Sequence, residues 1–148
     1  MGGTIKMDRE KILFRGKSAE NGEWFTGQLL HFKSPVSEKE LNVIVEGCEW
    51  DDSNEWFNIG RRAKVVPETV GQYIGLNDRQ DKPIFEGDIV EVDMRDDVFL
   101  VKYDEDDAIW FVSNCNDNLS FRENISNYNC VVIGNIYDNP ELLPDYLR

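Results

Sequence analysis

The stretch "IFEGDIVEV", Ile84–Val92, carries the clearest structural signal in the chain. It places a Gly-Asp pair between an aromatic residue and an alternating apolar run. Gly87 permits a sharp turn with positive φ, and Asp88 can accept hydrogen bonds from nearby backbone amides. Ile84 and Phe85 can pack beneath such a turn. We therefore interpret the stretch as the entry into a β-strand, and its carboxylates need no catalytic role to explain them.

The chain beyond this turn is also patterned as β-structure. Val90, Val92 and Met94 alternate with Ile89, Glu91 and Asp93, which predicts one inward face and one face in water. Further strands are predicted at 98–103, 109–113 and 130–137, with a long polar loop at 114–129. Short strands at regular spacing with tight turns are typical of a small barrel, in which closure removes exposed edges.

The C-terminal segment "DNPELL", 138–143, predicts one short helical turn. Asn139 is a suitable N-cap, Pro140 fits the first helical position, and Pro144 ends the turn.

The first half of the chain predicts two β-hairpins. Asn21-Gly22 is a hairpin signal between strands predicted at 11–16 and 23–32, and Gly27 indicates a bulge or a close backbone approach. Trp50 and Trp56 flank an Asp-Asp-Ser-Asn turn, which indicates a second hairpin. A strand at 41–47 precedes it, rich in β-branched residues.

Charge divides the chain unevenly. Residues 1–66 carry 10 Lys/Arg and 11 Asp/Glu, whereas residues 67–148 carry 6 and 18, so most of the net charge of −13 lies in the second half. We predict an N-terminal small β domain at 1–66 and a C-terminal barrel domain at 67–148. The acidic half would repel phosphate, so direct nucleic-acid binding is not expected.

Localisation is predicted to be cytoplasmic. No run of about 18 apolar residues predicts a transmembrane helix, and the N-terminus lacks the apolar region of a signal peptide. Residues 1–6 are interpreted as a loose leader. Cys48, Cys115 and Cys130 are an odd number without metal-binding spacing, so we expect buried thiols in a reducing compartment.

No catalytic, cofactor-binding or metal-binding residue is predicted. His31 is the only histidine and has no legible nucleophile or acid partner, so an exposed or strand-end position is expected. Asp104, Asp106 and Asp107 lack the glycine and glutamate of a calcium loop and are interpreted as a solvated turn. One further cluster is a small basic-aromatic patch, comprising Arg61, Arg62 and Lys64 near Trp56 and Phe57. An equal interpretation is that these three cations lie beside the acidic half of the chain.

Three segments together resemble the YopX family of phage and prophage proteins. They are "ILFRGKSAENGEWFTGQLL" at 12–30, "VGQYIGLNDRQDKPIFEGDIVEV" at 70–92 and "VIGNIYDNPELL" at 132–143. The resemblance implies an SH3-type β-barrel in the C-terminal part and a bacterial host. It brings no catalytic residues, cofactor or substrate. The stretch 33–63 fits the family pattern least, so a protein-specific role is expected there or in the 114–129 loop.

The sequence is compatible with four classes of function. The leading hypothesis is a non-enzymatic accessory module that binds a protein of the host or phage, with Trp24, Trp50, Trp56 and Trp110 as candidate anchors. An alternative is nucleic-acid mimicry by residues 86–107, which hold ten acidic and two basic side chains. A third is a structural role through self-association as a homo-oligomer, and a fourth is a hydrolase with paired carboxylates.

Overall fold

The structure is a computed structural model that describes residues 8–121 and 123–148, so the predicted leader lies outside the described residues. The chain divides into two compact units, Met1–Gln72 (unit 1) and Tyr73–Arg148 (unit 2). The sequence placed the division between residues 66 and 67. Whether the two halves are separate domains in solution stays a prediction.

The fold is mainly β, as predicted, and its strands form three antiparallel sheets. The helical segments in the described ranges are single 3-10 turns, and no α-helix occurs there. Unit 1 contains β1 (Phe14–Lys17), β2 (Trp24–Lys33), β3 (Glu40–Val45), β4 (Cys48–Asp51), β5 (Trp56–Ile59) and β6 (Arg62–Lys64). The first two residues of β7 (Gly71–Asn77) pair with β1, which gives the order β6-β3-β2-β1-β7.

Both hairpins predicted for the first half are confirmed. β1 pairs with β2 around a turn in which Gly22 has a φ of +74°, and β4 pairs with β5 around the predicted Asp-Asp-Ser-Asn turn. The first strand begins later than predicted, because Arg9–Lys11 forms a 3-10 turn capped by the Asp8 side chain.

The core of unit 1 lies on one face of its sheet. Phe25, Ile44 and Val65 are buried there, with Phe14, Leu29, Ala63 and Val70 packed around them. Side chains alternate along β2, so Leu30 and Phe32 lie on the other face, where they are 44% and 45% exposed.

Gly27 lies at a close approach of two backbones in unit 1, one of the two alternatives that the sequence predicted. A Cβ atom at this position would overlap the carbonyl oxygen of Val45 and lie 3.0 Å from the Cα atom of Glu46. Only a residue without a side chain lets the end of β3 cross β2 here. Beyond Val45, the amide of Thr26 on β2 donates to the Glu46 carboxylate, with an N to Oε1 distance of 3.2 Å. This carboxylate takes the place of the backbone carbonyl that a paired strand would supply.

Unit 2 is built on a five-stranded antiparallel sheet. Its strands are β9 (Asp88–Val92), β10 (Val98–Asp104), β11 (Ile109–Ser113), β12 (Asn118–Ser120) and β13 (Cys130–Asn135), in the order β12-β11-β10-β9-β13. The rest of β7 pairs with β8 (Pro83–Phe85). The sequence missed the two three-residue strands of unit 2, since β8 begins at a proline and β12 lies inside the predicted polar loop.

The predicted wet face of β9 is only partly in water, because Glu91 is exposed there whereas Ile89 on the same face is buried. One face of the five-stranded sheet packs Val90, Val92, Phe99 and Val101 with residues of β7 and β8, and the other packs Ile89 and Leu100 against Leu143. Met94, predicted to face inward, is fully exposed because it lies past the end of β9 with a φ of +61°.

The predicted closed barrel is not found in the part of the chain described. The linear strand order leaves β12 and β13 as the two edges of the sheet, and β12 has only three residues with which to pair. The predicted C-terminal turn is present as a 3-10 turn at Pro140–Leu142. Its predicted side-chain cap was wrong, since the Asn139 Oδ1 atom accepts from the Asn135 amide, 3.3 Å, instead.

The Gly87-Asp88 turn has the structural role that its sequence predicted. Gly87 has a φ of +83°, and the Asp88 carboxylate accepts the amide of Phe85 at 2.8 Å. Asp88 is only 1% exposed, so its carboxylate stabilises the entry of β9 from inside the unit.

A second buried carboxylate, Asp78, joins the turn after β7 to β13. One oxygen accepts the amides of Gln80 and Lys82, and the other accepts the amide of Val132, all at 2.8–2.9 Å. Burial raises the pKa of Asp78, but the three amides and the charge of Lys82 outweigh it and lower the pKa below its usual value.

Replacing Gly27 tests the close backbone approach. We expect Gly27→Ala to lower the free energy of unfolding by roughly 3 kcal/mol, because the methyl group forces the two strands apart. Gly47→Ala is the matched control, since a Cβ atom there meets nothing within 4 Å. Urea unfolding of both variants measures the difference, and equal effects would contradict the proposed crossing.

Asp78→Asn should lower the free energy of unfolding by about 2 kcal/mol, because the new amide nitrogen faces the backbone N–H of Val132. The lowered pKa makes the carboxylate stabilising above about pH 4, and this contribution is lost as pH falls through the folded-state pKa. The difference in the free energy of unfolding between wild type and variant should therefore become smaller in acid. Urea unfolding at several pH values measures it, with the exposed Asp106→Asn as control; a difference independent of pH would contradict the assignment.

Candidate functional site

A two-stranded ribbon is the most exposed ordered element of unit 1. It consists of β4 and β5 with their turn, residues 48–59, and we call it the arm. Within the described residues these two strands pair only with each other. Every residue of the arm except Asp51 is exposed. A hairpin without a covering layer is marginally stable in water. The exposure of a ribbon of this length therefore needs an explanation.

The arm displays large aromatic side chains to solvent. Trp50 and Trp56 are 63% and 64% exposed, and Phe57 is 44% exposed. Trp50 lies opposite Phe57 across the ribbon, and the rings of Trp56 and Phe57 stack with centroids 5.4 Å apart. These rings form a connected apolar surface, not isolated exposed residues.

The tip of the arm is held by its own polar groups. The Asp51 carboxylate accepts the amide of Ser53 at 2.9 Å, the hydroxyl of the same serine and the Nδ2 group of Asn54 at 2.7 Å. The serine hydroxyl is the largest cause of a lowered pKa at Asp51. The turn is therefore closed by local hydrogen bonds with Asp51 ionised at neutral pH.

At the base of the arm, Gly47 and Gly60 approach each other closely, and Arg61 holds the chain next to them. The Gly60 amide donates to the Gly47 carbonyl at 2.7 Å, and a Cβ atom on Gly60 would lie 2.8 Å from that oxygen. Arg61 forms ion pairs with Glu23 and Glu46, both at 3.1 Å, and its guanidinium lies 4.2 Å from the centre of the Phe25 ring.

This geometry separates the members of the predicted basic-aromatic patch. Arg61 contacts acidic groups and Phe25 of unit 1, and Arg62 and Lys64 are exposed on the edge strand β6. The patch with Trp56 and Phe57 is therefore not formed through Arg61, because that guanidinium is held at the base of the arm.

An apolar groove of about 440 Å³ lies between β2 and the arm. The Gly27 crossing lies at its edge, and its walls include Leu13, Leu30, Val45, Cys48, Phe57 and Ile59. The groove lies where the pairing of β3 with β2 has ended at Val45 and the chain continues into the separate hairpin of β4 and β5. Sequence reasoning missed these walls, although the apolar residues on the solvent face of β2 were a usable signal.

The arm is acidic as well as aromatic. Residues 47–60 contain Glu49, Asp51, Asp52 and Glu55 and no lysine or arginine. The surface therefore combines apolar side chains with negative charge.

The other tryptophans lie in packed surroundings. Trp24 is half-buried, with the Arg15 guanidinium and the Lys17 ammonium 4.9 and 5.5 Å from its ring centre. Trp110 packs on the core of unit 2 with its ring 4.8 Å from that of Tyr103. Only Trp50 and Trp56 of the four predicted anchors are therefore exposed.

The single histidine and the aspartate-rich turn have local partners. His31 is exposed on β2, with Nδ1 2.9 Å from the Asn42 side chain. The Asp104 carboxylate accepts the amides of Asp106 and Asp107 in its own turn. No group of three or more His, Cys, Asp or Glu side chains in residues 8–121 and 123–148 is arranged to hold a metal.

The three cysteines are free, but their expected burial holds for only one. Cys130 is fully buried, and its burial with nearby Asp93 and Asp78 raises the pKa of the thiol to about 11. Cys48 and Cys115 are exposed, because one begins the uncovered arm and the other lies in a turn after β11.

Comparison with known proteins gives a family and a fold. The family model described as YopX protein matches residues 13–144. No curated protein matches the chain. A crystal structure of protein EF1440 from Enterococcus faecalis is similar, with a TM-score of 0.59 and 22% identity over 90% of this chain and 99% of the other. Among the described residues, none of the helices is long and apolar enough to cross a membrane.

Thiol labelling tests the placement of the cysteines. At mildly alkaline pH we expect Cys48 and Cys115 to react with an aromatic disulfide reagent in the native protein, while Cys130 reacts only after unfolding. Timed absorbance measurement counts the thiols, and Cys48→Ser removes the arm signal. A Cys48 that stays unreactive in the native chain would contradict the open groove.

Proposed function

The chain belongs to the YopX protein family, and from that premise we propose that it is a non-enzymatic module that binds another protein through the arm and the groove. A phage or prophage setting in a bacterial cytoplasm belongs to the same proposal, since the family resemblance implies it. So does the SH3-type assignment of residues 67–148, which rests on that resemblance.

The observation that carries the proposal is the exposure of Trp50 and Trp56. Each keeps more than half of its surface in water on a ribbon that pairs with no other strand of the described residues. Contiguous apolar patches on the surface of a folded protein mark interaction sites. Tryptophan is also enriched among the few residues that dominate binding energy at protein interfaces.

The groove adds a concave surface beside these convex rings. Phe57 and Ile59 of the arm form part of the groove wall, so the aromatic surface and the groove are continuous. A partner could place side chains in the groove while the tryptophans contact its surface. Interfaces commonly combine such buried anchors with a surrounding rim.

The residues lining the groove favour binding over catalysis. Among the described lining residues, the ionisable side chains are Glu46 and Cys48, and Glu46 is paired with Arg61 at 3.1 Å. His31 does not line the groove. A general acid and base pair would need two titratable groups within reach of one substrate atom.

Nucleic-acid mimicry by unit 2 is a second candidate, favoured by the exposure of acidic side chains between residues 86 and 107. Glu91, Asp96, Glu105, Asp106 and Asp107 are exposed. Other carboxylates in the stretch have structural partners, however. Asp88 holds its turn, Asp93 pairs with Arg79 at 2.7 Å, and Asp97 accepts from Asn114 at 3.3 Å. The number of carboxylates free to contact a partner is therefore smaller than the count from the sequence.

Substituting the two arm tryptophans tests the proposed function. Captured bacterial proteins should be retained at least ~30-fold less by Trp50→Ala/Trp56→Ala than by wild type, because such anchors contribute about 2 kcal/mol or more. Quantitative mass spectrometry after affinity capture from bacterial lysate measures the ratio.

The matched control replaces two exposed aromatic residues of unit 2, Tyr128→Ala/Tyr146→Ala. Capture should be unchanged in this control, and urea midpoints should confirm that both variants fold. A partner retained equally by wild type and the arm variant would refute the arm as the contact. A DNA-acting partner lost only when unit 2 carboxylates are replaced would favour mimicry.

A further inference from the structure

We infer that the occupant of the arm and groove is a segment of the partner protein in which lysine or arginine residues accompany large apolar residues. This inference rests on the proposed function and specifies the chemistry of the partner. Its basis is the combination of free carboxylates, uncovered indole rings and an apolar groove on one ribbon.

The charge of the arm is the first step. Glu49, Asp52 and Glu55 are exposed, and none has an ion-pair partner among the residues that the structure describes. Asp51 adds a fourth negative charge, held ionised by its hydrogen bonds at the tip. Four carboxylates without a cation between residues 47 and 60 produce a negative potential that attracts positive side chains.

The aromatic rings are the second step. Elsewhere in unit 1, cations already lie over rings, with Arg15 and Lys17 near Trp24 and Arg61 near Phe25. Trp50 and Trp56 have no such cation within the described part of the chain. Among aromatic side chains, the indole face attracts cations most strongly. An incoming guanidinium or ammonium group would therefore find both a ring and a carboxylate.

The groove is the third step, and it sets the apolar requirement. Leu30, Val45, Phe57 and Ile59 line it with apolar side chains. Its volume of about 440 Å³ lies within the range in which proteins accept bound groups, roughly 300–1,000 Å³. Purely basic segments would leave this surface wet, so the partner segment needs apolar side chains as well as cations.

The same charge disfavours a second copy of the chain as occupant. Each copy carries a net charge of −13, and contact between two arms would bring eight carboxylates together. Like charges placed across an interface oppose association. Phosphate groups of a nucleic acid would meet the same repulsion.

The test uses three short synthetic peptides and the full chain. The first alternates leucine with arginine, the second leucine with glutamate, and the third serine with arginine. Binding is followed by the fluorescence of the chain's tryptophans in titrations at low and moderate salt. We expect only the leucine-arginine peptide to bind, at least ~10-fold more tightly than the others, with affinity that falls as salt rises.

A pair of charge reversals separates the arm from the overall charge. Asp52→Lys/Glu55→Lys should weaken binding of the leucine-arginine peptide at least ~10-fold. The control Glu105→Lys/Asp106→Lys changes net charge equally at an exposed turn of unit 2 and should have less than about a 2-fold effect.

The outcomes distinguish this inference from the proposed function. Equal weakening by both reversals, equal binding of the leucine-glutamate peptide, or no binding of the leucine-arginine peptide would each overturn the inference. If the captured bacterial partner still requires Trp50 and Trp56 in those cases, the proposed function stands without it. If partner retention is also insensitive to these tryptophans, the proposed function fails as well.

Discussion

The crossing of Val45 over Gly27 is the constraint on which the candidate site depends. No side chain fits between the two backbones at Gly27, and the pairing of β3 with β2 ends at Val45. The chain therefore leaves the sheet as a separate ribbon, and a groove opens between that ribbon and β2. A glycine that sequence inspection treats as a local irregularity thus determines where the exposed surface of unit 1 arises.

The two units use carboxylates in opposite ways. In unit 2, Asp78 and Asp88 are buried, and their oxygens satisfy backbone amides that would otherwise lack partners. In the arm of unit 1, Glu49, Asp52 and Glu55 face solvent. Buried carboxylates that accept several amides are expected to stabilise the fold, whereas exposed ones beside apolar rings are available to a partner. Net charge therefore says little about function until each carboxylate is placed.

Local sequence signals predicted the turns and hairpins well. The Gly87-Asp88 turn, the hairpin at Asn21-Gly22 and the close approach at Gly27 each follow from backbone rules that act over a few residues. The inward placement of Met94 and the burial of Cys48 were wrong, and a closed barrel is not found in the described residues. Each of these predictions depends on which segment covers which face. Leu143, distant in sequence, covers Ile89, whereas nothing in the described residues covers the arm. The apolar residues on the solvent face of β2 were a usable signal for one wall of the groove, but packing between distant segments has no local signature, so the wall formed by the arm could not be predicted.

Hydrogen exchange of the full chain, measured with and without a captured protein partner, tests the central claim most directly. Amides of the open ribbon should exchange rapidly in the free protein, because their strands have few neighbours. The account predicts that the partner slows exchange at residues 46–60 and in β2, with little change in the five-stranded sheet of unit 2. Protection confined to unit 2, with the arm still exchanging freely, would contradict the account.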